Sequence, residues 1–162
     1  MYGEKGSAYH DAAKEYVDKF HVLLLDEYKY ISYSDILRVV LNFDEFGWVL
    51  KSLPERSYVQ SNEKVLAKKP LRARVTVLVG VSAAGHKFKP LVVGKSKRPL
   101  CFQNVDMTQL PVVYYSQPSA WMTAEIFESY VVDHLIPEIH TTYPGVKVIP
   151  TLDNATCHPE GM

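Results

Sequence analysis

The segment Arg74-Val75-Thr76-Val77-Leu78-Val79-Gly80-Val81-Ser82 constrains the fold of this chain more than any other stretch. Nearly every position carries a β-branched or large apolar side chain, which suits a pleated, largely buried strand and disfavours a helix. Ala83-Ala84-Gly85-His86 supplies a turn, and Lys87 to Val93 reads as a returning strand, so the pair predicts an antiparallel hairpin. A sheet built on this hairpin needs further strands and a covering layer to bury its faces.

Two shorter apolar runs offer those strands. Ile36-Leu37-Arg38-Val39-Val40-Leu41-Asn42-Phe43-Asp44 is short for a helix and closed by polar residues and Gly47, which predicts a buried strand ending at Asp44, after a helical turn from Ser34. Val146 to Leu152 reads as another, despite Pro150, and leads into Asp153. Ser57 to Gln60 and Val112 to Tyr115 are briefer strand candidates. Thr123 is placed to cap a helix reaching about Thr141, with Ile126, Phe127, Tyr130, Val131, Leu135 and Ile139 on its buried face and Pro137 as a kink. Tyr9, Ala12, Ala13, Tyr16, Val17, Phe20, Leu23 and Leu24 follow the three-and-four spacing of an earlier helix, capped by Ser7 and running to about Tyr28. Residues 1–30 therefore read as a helical linker segment and residues 31–162 as one core.

The order strand, hairpin, helix, strand is that of an α/β domain. If the first three strands form a meander, a right-handed helical crossover returns the last strand parallel to the first, on its free side. Asp44 and Asp153 then meet at the carboxyl edge of the sheet, where open α/β sheets place ligands. Two neighbouring carboxylates predict either one raised pKa or a bound cation, and oxygen donors favour magnesium or manganese. The other reading of each aspartate is a turn or cap residue. Glu45, if extended, faces away from Asp44.

Charge and cysteine content narrow the partners. The 18 basic and 18 acidic residues cancel, yet from Lys64 to Val105 there are ten Lys or Arg and no Asp or Glu. That strip is either the wet face of a sheet or a phosphate-facing surface, in which Lys68, Lys69, Arg72, Lys95, Lys97 and Arg98 are the candidate DNA contacts. No run approaches the roughly 18 apolar residues of a membrane helix. Cys101 and Cys157 fit neither a disulfide framework nor a paired zinc spacing, which points to a reducing intracellular compartment and structural roles.

The assembled motifs resemble one family. Asn42-Phe43-Asp44-Glu45-Phe46-Gly47-Trp48 is similar to the Asn-x-Asp-Glu-Thr-Gly block of the pogo, Tigger, jerky and centromere protein B relatives among DDE superfamily endonucleases. Arg74-Val75-Thr76-Val77-Leu78, Pro90 to Pro99 with Cys101-Phe102, and Ala120-Trp121-Met122-Thr123 resemble its internal blocks in the same order. Leu152-Asp153-Asn154-Ala155-Thr156-Cys157-His158-Pro159 resembles its Leu-Asp-Asn-Ala-Pro-Ser-His-Pro block, so the likeness runs from about residue 30 to 159. It implies a ribonuclease H-like, retroviral integrase-type mixed sheet with flanking helices, incomplete at its C-terminus. Asp44 and Asp153 become the first two acids of the catalytic triad and ligands of Mg2+ or Mn2+. Asn154 and His158 become candidates for the surrounding polar shell, His158 either orienting water or phosphate or bracing the loop.

The implied activity is metal-dependent phosphodiester cleavage and strand transfer on DNA in the nucleus, with homodimer contacts supplied by regions outside these residues. The alternative is a domesticated nuclear DNA-binding protein that no longer cuts. The family's third acid lies further on, and Glu160, only seven positions after Asp153, is expected in the adjoining loop; the segment alone is expected to be inactive. Phe46 stands for Thr, Thr156 for Pro and Cys157 for Ser, which alters the surroundings of each acid.

Overall fold

A computed structural model of the chain describes residues 10–29, 32–49, 74–153, 155, 157 and 158. Ser7, the Ser57 to Gln60 strand, Lys68, Lys69, Arg72 and Asn154 lie outside the described residues. The first helix, α1 (His10–Tyr28), leaves Tyr16, Val17, Leu23 and Leu25 exposed. A short helix, α2 (Tyr33–Val39), follows, with the Ser32 hydroxyl accepting from the Asp35 backbone N–H at 3.3 Å.

The expected strand from Ile36 is therefore corrected at its start. Ile36 to Val39 close the capped helix, and the strand β1 runs Val40–Val49, beyond Asp44 rather than ending there. The cap outweighs the strand preference of these few residues, while pairing to the next strand carries β1 onward.

Strand β2 (Arg74–Ser82) pairs antiparallel with β1 through nine positions, from Leu41↔Ser82 to Val49↔Arg74. The hairpin turn contains Gly85 at φ +91°, and the chain returns to β3 (Leu91–Gly94), antiparallel to β2, so the meander has the expected course. Strand β4 (Val113–Ser116) is parallel to β3, and β5 (Ile149–Thr151) is parallel to β1, giving the sheet order β4-β3-β2-β1-β5. A meander followed by a helical crossover to a strand beside the first is the ribonuclease H-like arrangement, in an α/β mixed sheet.

Thr123 caps the crossover helix α3 (Ala124–Tyr130), which passes through a wide π turn at Val131–Leu135 into α4 (Ile136–Thr142). Pro137 has no N–H to return to the preceding turn, and the π turn takes up the mismatch. Leu41, Phe43, Leu78, Leu91, Val93 and Val113 on one sheet face pack with Phe127, Tyr130 and Leu135 from the crossover to form the core. Gly80 lies opposite Phe43 across the β1–β2 ladder, and its missing side chain leaves the space that the Phe43 ring occupies.

Candidate functional site

The period-two alternation of β1 divides four consecutive residues between two faces. Phe43 is buried against the crossover helix, whereas Asn42 and Asp44 are exposed on the other face. Thr151 of β5 pairs with Asn42, its hydroxyl 3.0 Å from Asn42 Oδ1 and 2.9 Å from the Leu41 carbonyl. Asp44 stands two residues beyond Asn42 on β1, and Asp153 two residues beyond Thr151 in the loop after β5. The strand carrying Asp44 and the strand that leads into Asp153 are therefore neighbours.

Strand β5 stops at Thr151, so among the described residues no strand pairs with β1 on that side at Asp44, and both aspartates are exposed. Asp44 Oδ1 accepts the Glu45 backbone N–H at 2.8 Å, and Asp153 Oδ1 accepts that of Ala155 at 3.3 Å. These bonds orient each carboxylate and leave oxygen lone pairs over for another partner.

Glu45 faces the helical side, as its parity with Phe43 requires, and meets the loop after β5. His158 Nε2 lies 3.0 Å from Glu45 Oε1, while its Nδ1 lies 3.0 Å from the Asp153 carbonyl oxygen and 3.2 Å from Asp153 Oδ1. The imidazole side chain is only 8% exposed, and its ring sits 4.5 Å from that of Phe127, centroid to centroid. Burial alone would lower the His158 pKa, but the bond to the Asp153 carbonyl and the hydrogen bond and charge of Glu45 outweigh it, and the pKa is raised. Both neighbours are acceptors, so the imidazolium satisfies both and the neutral ring only one.

The Cys157 thiol donates to Glu45 Oε1 at 3.5 Å; burial first, then the nearby carboxylate, pushes its pKa up to about 11. The residues that sequence reasoning left out of the site are thus Glu45 and Cys157. Strand parity signalled the direction of Glu45, but its meeting with a loop far along the chain follows only from the β1–β5 pairing.

Lys95, Lys97 and Arg98 are exposed on the loop that leaves β3. Since β1 and β3 both run antiparallel to β2, this loop emerges at the same sheet edge as the carboxyl ends of β1 and β5. Tyr114 donates to the Ser96 carbonyl at 2.7 Å and anchors it. Met122 is buried in the core, whereas Trp121 is half-exposed beneath the Arg74 guanidinium, 3.9 Å from the ring centroid, and Trp48 is also exposed. No helix among the described residues is long and apolar enough to cross a membrane.

The family description "DDE superfamily endonuclease" matches residues 72–162, more than half of the chain, and the chain belongs to that family. Asp153 lies within the matched stretch and Asp44 precedes it. Among its relatives are Tigger transposable element-derived protein 4 of Mus musculus, 30% identical over 124 residues, and Tigger transposable element-derived protein 7 of Homo sapiens, 29% identical over 126. These alignments cover 75% and 72% of this chain but 23% of each relative, so the chain spans about a quarter of their length. Among solved structures it is similar to a chain of the "Mos1 transposase paired-end complex with left transposon end", with a TM-score of 0.45 and 17% identity, covering 85% of this chain and 34% of that one. The chain is thus a DDE superfamily endonuclease domain that is similar in sequence to Tigger transposable element-derived proteins.

Proposed function

We propose that this domain serves metal-dependent cleavage and strand transfer on DNA in the nucleus, with Asp44 and Asp153 as the residues that hold Mg2+ or Mn2+. What supports this reading is the parallel pairing of β1 with β5, since Asp44 follows Asn42 by two residues and Asp153 follows its partner Thr151 by two. The donor set fits a hard cation: both groups are carboxylates, both are exposed, and each has an oxygen positioned by a backbone N–H. When bound, the metal supplies positive charge to the attacking and leaving oxygens of a phosphodiester.

The chain's own residues hold that edge in place. Glu45 N–H orients Asp44, and His158 ties the loop bearing Asp153 to Glu45 on β1. Lys95, Lys97 and Arg98, emerging at the same edge, offer sequence-independent phosphate contacts. The family triad that the resemblance implies joins a third acid to Asp44 and Asp153, and cleavage is proposed to depend on it. The rival reading, a nuclear protein that binds DNA and has given up cleavage, draws on Phe46: it shares the Asp44 face, is 48% exposed, and replaces the threonine of the resemblance. Dimerisation, if it accompanies either reading, is assigned to regions outside this chain.

Calorimetric titration with Mg2+ and Mn2+ tests the site. Asp44→Asn and Asp153→Asn are each expected to abolish specific binding, and unchanged binding in either variant rejects that residue as a ligand. DNA titrations at several salt concentrations test the partner: removing one of Lys95, Lys97 or Arg98 is expected to reduce the salt slope by about 1. Nicking of DNA by a longer protein retaining the third acid separates cleavage from binding alone.

A further inference from the structure

We propose that Glu45, Cys157 and His158 form a second metal site, for one thiophilic divalent cation of the zinc type, distinct from the Asp44 and Asp153 pair. Glu45 Oε1, Cys157 Sγ and His158 Nε2 all lie within 4.8 Å of one another. The Sγ to Oε1 separation is 3.5 Å and the Nε2 to Oε1 separation 3.0 Å. Tetrahedral zinc, with bonds of about 2.3 Å to sulfur and about 2.0–2.1 Å to nitrogen and oxygen, sets its ligand atoms roughly 3.3–3.6 Å apart. Two of the three separations are therefore within a few tenths of an ångström of those the ion requires, and the third lies within 4.8 Å.

The surroundings of His158 give a second, independent observation. A histidine that ligates zinc through one nitrogen holds its other N–H on a carbonyl or carboxylate, which fixes the tautomer and aims the ring. His158 Nδ1 has that partner in the Asp153 carbonyl, 3.0 Å away, and this leaves Nε2 directed at Glu45 and the thiol. The Glu45 and His158 side chains are 20% and 8% exposed, so the donors are shielded while solvent still reaches the carboxylate.

Binding is balanced as follows: the Cys157 S–H proton passes to solvent, His158 binds as the neutral imidazole, Glu45 keeps its charge, and water fills the fourth position. A thiolate and an imidazole favour zinc over magnesium, so the two sites differ in ion as well as in residues. Cys157 stands where the resemblance has serine, a much poorer ligand. Because the ligands come from β1 and from the loop after β5, occupancy clamps the Asp153 loop to the central strand.

Cobalt reports directly on thiolate ligation. In the 162-residue chain carrying Cys101→Ser, which removes the exposed second thiol, Co2+ is expected to raise a sulfur-to-cobalt charge-transfer band that saturates at one equivalent and is displaced by Zn2+. Zn2+ affinity, measured by competition with a chromogenic chelator, is expected to fall on the order of 100-fold in Cys157→Ser and at least about tenfold in Glu45→Gln. Asp44→Asn should leave the band and the Zn2+ affinity unchanged, which separates this proposal from the magnesium site. Circular dichroism melting without metal shows that each variant is folded. Absence of the band, unchanged Zn2+ affinity in Cys157→Ser, or loss of the band in Asp44→Asn overturns the proposal.

Discussion

Replacing Glu45 by Gln, in metal-free buffer with a chelator, isolates the charge that links β1 to the Asp153 loop. The amide keeps the volume and one acceptor oxygen for the Cys157 thiol, but the hydrogen bond from His158 Nε2 at 3.0 Å becomes one to a neutral group. Hydrogen bonds to charged groups contribute about 1.5–3 kcal/mol and neutral ones about 0.5–1.5, so the loss is roughly 1–1.5 kcal/mol while His158 is protonated. The sign follows from the raised pKa of His158: its stabilisation is fully present below the ordinary histidine pKa of about 6.5 and is lost as the pH rises through the folded value.

Above that value a neutral ring with its proton on Nδ1 turns a lone pair toward the Glu45 carboxylate, whereas the glutamine amide can donate to it. Urea unfolding of both proteins at about pH 5.5 and about pH 9 should therefore show the full deficit at the lower pH and a difference within about 0.5 kcal/mol at the higher. A deficit of the same size at both pH values would refute the claim that a protonated His158 bonds to Glu45.

Three further perturbations probe the frame of the site. Gly80→Val places a side chain where the Phe43 ring lies, and should destabilise the domain by about 3 kcal/mol or more in chemical denaturation; a loss below about 1 would contradict the packing. Thr123→Ala removes the hydroxyl that accepts the Ile126 N–H at 3.3 Å and should cost about 1 kcal/mol by the same assay, with no loss if the cap is unimportant. Near pH 8 the Cys157 thiol, with its pKa pushed up to about 11, should react with iodoacetamide on the order of 100-fold more slowly than an ordinary exposed thiol, so mass spectrometry should find Cys101 alkylated first.

Much of this arrangement was legible because local chemistry and tertiary pairing agree. The β-branched run at Arg74–Ser82, the Gly85 turn and the Thr123 cap each specify their conformation within a few residues, and the right-handed crossover then leaves one side of β1 for β5. The departures lie where a neighbour decides. Val146 to Val148 stay outside the strand because β5 starts where Ile149 meets Val40, and the residue before Val40 is helical. Asp44 is not a strand end because the β2 ladder continues to Val49, yet it is exposed because β5 ends at Thr151.

Of the candidate site, only the local part was open to sequence reasoning. Its two aspartates could be picked out because each follows an apolar run, whereas the contacts of His158 with Glu45 and Cys157 with Glu45 join positions more than a hundred residues apart. Neither contact has a local sequence signature. Both depend on the register of a strand only three residues long.

Anomalous scattering from crystals soaked in Mn2+ tests the central claim most directly. Manganese bound by oxygens of both Asp44 and Asp153, beyond the carboxyl end of β5, is the expected result. Carboxyl groups more than about 8 Å apart, too far to share one ion or flank a pair, or manganese held by one aspartate while the other turns away, would contradict it.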